Sequence, residues 1–122
     1  MRSALLPVAL AAALSFGTGS VAEAHAFLVK SAPAVGSSLT SKPTTVRLEF
    51  SEALELAFSG VELATASGSA LALNGMRFAD DTHKVLVAGL PMLAPGSYRV
   101  KWHAVSVDTH RTEGEFTFTV KP

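Results

Sequence analysis

The groups in this chain best suited to chemistry are its histidines and the carboxylates close to them. The four histidines are His25, His83, His103 and His110. Two of them end the same triplet, Asp81-Thr82-His83 and Asp108-Thr109-His110. In an extended strand, residues two apart project to one face, so Asp-x-His presents a carboxylate and an imidazole together, a pairing that suits a divalent metal. The tripeptide alone is a weak signal. Asp80-Asp81-Thr82-His83 reads as a solvated polar turn between Phe78 and the strand at Val85. Asp108-Thr109-His110 has more telling flanks: it follows a long strand from Tyr98 to Val107 and precedes Arg111-Thr112-Glu113-Gly114 and the final strand. His103 shares parity with Arg99 and Lys101 and is expected to face solvent. The chain has no cysteine, which excludes a disulfide scaffold, a cysteine-based zinc site and a thiol nucleophile.

His25 takes its interest from what precedes it. Arg2 is followed by an apolar run over residues 4–16, then by Gly17-Thr18-Gly19-Ser20 and Ala22-Glu23-Ala24. A charged start, an apolar middle and an A-x-A site describe a secretory signal peptide over residues 1–24. The run is short for a membrane span, which needs about 20 residues. Cleavage after Ala24 makes His25 the first residue of a single domain, residues 25–122. An N-terminal histidine offers its α-amine and its imidazole to one metal ion. Their ordinary pKa values, about 8 and about 6.5, make neither costly to deprotonate at neutral pH. Such nitrogen donors suit Cu(II), the highest in the Irving–Williams order. Any residue can follow a cleavage site, however, and cleavage at Ser20-Val21-Ala22 would remove the amine donor.

These groups need a scaffold, and period-two alternation supplies one. Val46, Leu48 and Phe50 alternate with polar neighbours, as do Val61 and Leu63 about Glu62. Val85 and Val87, then Tyr98, Val100 and Trp102, then Phe116, Phe118 and Val120 continue the pattern. Residues 27–30 and 69–73 make shorter strands, and residues 51–58 one irregular helical turn. Turn signals lie between them: Ala32-Pro33, Gly36-Ser37, Lys42-Pro43, Ser67-Gly68, Asn74-Gly75 and Pro95-Gly96. Seven strands of this kind predict an all-β, antiparallel Greek-key β-sandwich, immunoglobulin-like or cupredoxin-like. Ala94-Pro95-Gly96-Ser97-Tyr98 reads as a tyrosine corner, with Trp102 in the core. Ten basic residues balance ten acidic ones, which leaves no electrostatic handle for nucleic acid or an anionic membrane.

With the strands in place, the sequence resembles the CopC-type copper-resistance proteins. The resemblance runs through His25-Ala26-Phe27-Leu28, Ser31-Ala32-Pro33-Ala34-x-Gly36-Ser37, and Val46-x-Leu48-x-Phe50-Ser51-Glu52-x-Leu54. It continues in Phe58-Ser59-Gly60-Val61 and Pro95-Gly96-x-Tyr98-x-Val100-x-Trp102, and ends in Val105-Ser106-x-Asp108-Thr109-His110-x-x-x-Gly114-x-Phe116-x-Phe118-x-Val120. It implies a periplasmic copper-binding β-sandwich without enzymatic activity. It also implies a Cu(II) site of histidine-brace type: the His25 amine and imidazole, the His110 imidazole and the Asp108 carboxylate. Three nitrogens with a carboxylate oxygen match the tetragonal preference of Cu(II). Glu52, in the matching Phe-Ser-Glu motif, is either an acceptor that orients the amine or an imidazole N–H, or a surface carboxylate. Ser106 and Thr109 are further candidates for supporting the ligands. Some relatives carry a methionine-rich loop for Cu(I). Here that region holds only Met76, with Met92 just after it, and both are expected to fill the core.

Three functions are weighed on this basis. The first is a periplasmic Cu(II) carrier or buffer, with a membrane copper transporter as a possible recipient. The second is a copper oxidoreductase, since a histidine brace is also the centre of lytic polysaccharide monooxygenases. Those are usually larger, need an open position for oxygen and present a flat aromatic surface, whereas the aromatics here fall mainly on inward positions. The third is a metal-free immunoglobulin-like interaction domain, which predicts no stabilisation by copper.

Overall fold

Among the described residues nine strands form, and they sort into two sheets. The structure, a computed structural model, describes residues 25–122; the expected signal peptide lies outside them. In chain order the strands are β1 (Leu28–Ala32), β2 (Ser38–Leu39), β3 (Thr45–Phe50), β4 (Gly60–Thr65) and β5 (Ala70–Leu71). Then come β6 (Asn74–Phe78), β7 (Val85–Gly89), β8 (Gly96–Val105) and β9 (Arg111–Val120). One sheet has the order β1-β3-β7-β6 and the other β2-β9-β8-β4-β5. Neighbours such as β3 and β7, or β4 and β8, are far apart in sequence, as Greek-key connections require.

The class is the all-β sandwich the alternation predicts, with two additions to the seven strands. β2 is two residues long and pairs in parallel with β9, so the sandwich is antiparallel at every other pairing. Two residues carry no readable period. β6 was hidden by Asn74-Gly75, a turn signal in sequence, which instead opens a strand with an irregular register against β7. The expected strand over residues 69–73 shortens to Ala70–Leu71. Within residues 51–58 a single 3₁₀ turn forms, Leu56–Phe58.

The core is made by the inward residues of both sheets. Val46, Leu48 and Phe50 of β3 meet Val100, Ala104, Phe116, Phe118 and Val120 from the facing sheet, all buried. Burying each large apolar side chain contributes about 1.5–3 kcal/mol relative to leaving it exposed. In β7 the core-facing residues are Leu86 and Ala88, paired with Leu48 and Val46. Val85 and Val87 lie on the opposite face and are still buried; Val87 stands between Arg47 and Arg77, whose aliphatic stems can cover it. The tyrosine corner forms, with the buried Tyr98 hydroxyl donating to the Ala94 carbonyl at 2.5 Å. Trp102 is only partly buried. Its ring meets Phe50 edge-on at 5.1 Å and occupies the space a Cβ at Gly114 would need, 2.5 Å from its Cζ2.

Candidate metal centre

One end of the sandwich gathers the C-terminal ends of β3 and β8 and the N-terminal ends of β1, β7 and β9. Residues 51–55 tie the two sheets together there. The Leu54 N–H donates to the His83 carbonyl at 2.9 Å, the Glu55 N–H to the Val105 carbonyl at 2.8 Å, and the Val107 N–H to the Ala53 carbonyl at 3.1 Å. Leu54, almost fully buried, anchors this segment. Three of the four histidines, His25, His83 and His110, therefore come to one end of the molecule.

The β8–β9 hairpin shapes the first part of the site. Val105 pairs with Arg111, and residues 106–110 close the turn. The Ser106 N–H donates to the His110 carbonyl at 2.9 Å and the Thr109 N–H to the Ser106 carbonyl at 2.8 Å. Thr109 takes a left-handed conformation, φ +77°, which lets the chain reverse within this loop. Ser106 is buried, and its hydroxyl makes a short hydrogen bond to Asp108 Oδ1. The other carboxylate oxygen lies 3.4 Å from His110 Nδ1. Ser106 holds the Asp108 carboxyl below the usual carboxylate range; partial burial works against this, and His110, by its N–H groups and its charge when protonated, adds to it. The Asp108 carboxylate, an anion at neutral pH like any ordinary aspartate, stands beside an imidazole that remains about half exposed.

His25 completes the cluster from the far end of the sequence. Its ring stacks on that of His110, with centroids 4.7 Å apart and planes 29° from parallel. The structure thus brings His25, Asp108 and His110 together, but as a stack of rings. Among the described residues, no three His, Asp or Glu side chains converge as a ready-made metal cluster. The α-nitrogen of His25 is a peptide nitrogen in the intact chain and becomes an amine only if the chain is cut before it.

The other predicted residues stand apart. Glu52 is exposed and makes no hydrogen bond or ion pair with the described residues. His83 has a left-handed backbone, φ +61°, and lays its ring flat on Phe78 at 4.3 Å and 9°. The carboxylate that answers Thr82 is Asp80, which accepts from its N–H at 2.9 Å and its hydroxyl at 2.5 Å. Those two bonds lower the Asp80 pKa. Asp81 and His83 do not pair. His103 lies on the outer face of β8, as its parity predicts, but is half-buried because its ring covers Gly60, where a Cβ would come within 2.5 Å of Cε1. Met76 packs against the core as expected, whereas Met92 is 89% exposed. Two residues the sequence did not single out, Ser51 and Thr112, hold the backbone at residues 25–27. Ser51 was within the Phe50-Ser51-Glu52 motif; Thr112 is an ordinary strand threonine and carried no signal.

This geometry can be set beside known proteins. The CopC domain family model matches residues 28–121. The chain is 38% identical over 99 residues to "Protein YobA" of Escherichia coli K12, covering 80% of each chain. It is 38% identical over 112 residues to "Copper resistance protein C" of Pseudomonas syringae pv. tomato, covering 83% of this chain and 84% of that one. The crystal structure of CopC from Methylosinus trichosporium OB3b superimposes with a TM-score of 0.75 at 34% identity, over 80% of this chain and 95% of that one. A single family model spans the strands and the hairpin that carries Asp108 and His110: the chain belongs to the CopC domain family.

Proposed function

We propose that this protein is a copper carrier or buffer of the periplasm that binds Cu(II) through a histidine brace created when residues 1–24 are removed. The observation that carries the reading is the meeting of His25 with His110 and Asp108, across 85 and 83 positions of sequence, at one exposed end of the sandwich. Copper handling is supported by the family and by the name of the Pseudomonas relative. A free His25 amine adds the donor that the stacked rings lack, and a turn of the His25 ring then sets amine, two imidazoles and the Asp108 carboxylate around one ion. Nitrogen donors with one carboxylate favour Cu(II) over Cu(I), as does the absence of cysteine. Glu52, one residue beyond Ser51, is the carboxylate available to accept from the new amine.

The reading is of a carrier and not a catalyst. In this reading the Asp108 carboxylate, directed by the Ser106 hydroxyl, takes the position that an oxygen-activating centre keeps open. An open, shallow site also suits release of the ion to another protein, such as a membrane copper transporter. The test is a protein with one extra alanine ahead of His25, compared by competitive Cu(II) titration with protein that begins at His25. Moving the amine out of reach should weaken binding by more than the ~10–100-fold that loss of an outer supporting group costs. Equal affinity for the two proteins would sink the brace.

A further inference from the structure

The peptide unit between Ala26 and Phe27 is held at both polar ends by hydroxyls from opposite sheets. Its carbonyl, on Ala26, accepts the Thr112 hydroxyl at 2.7 Å. Its N–H, on Phe27, donates to the Ser51 hydroxyl at 2.8 Å. Thr112 lies near the start of β9, whereas Ser51 directly follows β3 in the other sheet. The Ser51 hydroxyl also donates to the His25 carbonyl at 3.4 Å, and the Ser51 N–H to the Phe27 carbonyl at 2.9 Å. Ala26, between these anchors, has no exposed surface. Two successive peptide units are therefore tied, and a single backbone torsion, ψ of His25, separates the last anchored carbonyl from the nitrogen of His25.

Thr112 is also only two residues beyond His110. One strand end therefore carries both a ring of the stack and the anchor for the segment bearing the other ring. The distance between the two histidines is set over a few covalent bonds and one hydrogen bond, instead of being left to a loose chain terminus. A terminus ordered only when the ion arrives would lose conformational freedom at that moment, and the loss would be subtracted from affinity.

We infer that Thr112 and Ser51 are positioning residues for copper: a two-hydroxyl clamp on the Ala26–Phe27 peptide that aims the His25 amine at the ion. The inference rests on the brace reading above. A purely structural pair of hydrogen bonds would affect stability and leave the coordination unchanged, and this difference is measurable.

The experiment uses protein recovered after export, with its N-terminus checked by intact mass. Wild type, Thr112→Val, Thr112→Ser and Ser51→Ala are compared by competitive Cu(II) titration, by the nitrogen hyperfine pattern of the Cu(II) electron paramagnetic resonance spectrum, and by apo melting temperature. Thr112→Val removes the hydroxyl at nearly constant volume. It should weaken binding by about 10–100-fold and shift the spectrum at neutral pH from three coordinated nitrogens toward two. Thr112→Ser, which keeps the hydroxyl, should restore both. A Thr112→Val protein that melts lower but keeps wild-type affinity and spectrum would overturn the clamp. Should that variant fail to fold, Ser51→Ala decides through the same two readouts. A wild-type protein without the three-nitrogen signal would refute the brace itself, an outcome distinct from failure of the clamp.

Discussion

The same tripeptide stands in two loops at one end of the sandwich, and the two loops hold it differently. In residues 108–110 the left-handed residue is Thr109, in the middle, so the carboxylate and the imidazole on either side turn toward each other, 3.4 Å apart. In residues 81–83 the left-handed residue is His83 itself. Its ring is thrown back onto Phe78, and Thr82 bonds to Asp80 instead of leaving Asp81 to face the histidine. The surroundings differ as well. The buried Ser106 hydroxyl directs Asp108, and His25 lies against His110, whereas His83 has an aromatic ring as its partner. One loop presents polar groups outward and the other uses its histidine as packing. The pairing of carboxylate with imidazole in such a triplet is thus set by the position of one left-handed residue and by what the rest of the fold brings alongside.

The sharpest way to break this contrast is to remove each histidine in turn. His110→Ala should reduce Cu(II) affinity by more than the ~100-fold upper range for supporting groups. His83→Ala should leave affinity unchanged in the same titration, and the reverse order would make Asp81-Thr82-His83 the true site. A smaller effect is expected from the hydroxyls that direct the carboxylates. Ser106→Ala should cost about 10–100-fold in affinity, while Thr82→Ala should cost none. Both substitutions should raise the pKa of the nearby carboxyl, Asp108 or Asp80, toward the ordinary value of 3.8, as read by NMR titration. The folded-state pKa values are depressed, so these contacts stabilise the apo protein above the unfolded value, about 3.9, and lose that contribution as pH falls through the folded one. The melting-temperature gap between wild type and either variant should therefore narrow below about pH 4; a gap independent of pH would contradict the linkage. The smallest effect concerns packing. His83→Ala should destabilise the apo protein by about 0.5–1 kcal/mol through loss of its flat stack on Phe78, which packs against the core, whereas His110→Ala, whose ring stacks only on the exposed His25 ring at a wider 4.7 Å, should cost less by the same thermal melt.

Much of this was legible along the chain because strands write their period into sequence. Val46, Leu48 and Phe50 lie inward as their spacing says, and Tyr98 closes its corner. The pattern misleads where burial is two-sided. In β7 every residue from Val85 to Ala88 is buried, so hydrophobicity alone cannot tell which face meets the core, and register against β3 decides for Leu86 and Ala88. It is silent where an element is too short to have a period, as in β2. At the site, His25, Asp108 and His110 could be named from the resemblance and the triplet, but Ser51 and Thr112 could not be given a role. A hydroxyl in or beside a strand is unremarkable until its acceptor is known, and Thr112 finds its acceptor 86 residues away.

Residue order alone was enough to tell which segments form seven of the strands, which residues are apolar enough to form a core, and which donors exist: histidine nitrogens and carboxylates, with no thiol. These follow from local periodicity and residue chemistry. It took the folded molecule to show that β1, β3, β8 and β9 end together, so that His25 meets His110, that the buried Ser106 hydroxyl directs the Asp108 carboxylate, and that one of two identical triplets stacks its histidine on Phe78. The first outcome depends on contacts between residues distant in the chain, which the folding of two sheets onto one core sets; the other two depend on which residue of each loop is left-handed and which groups the fold buries beside it.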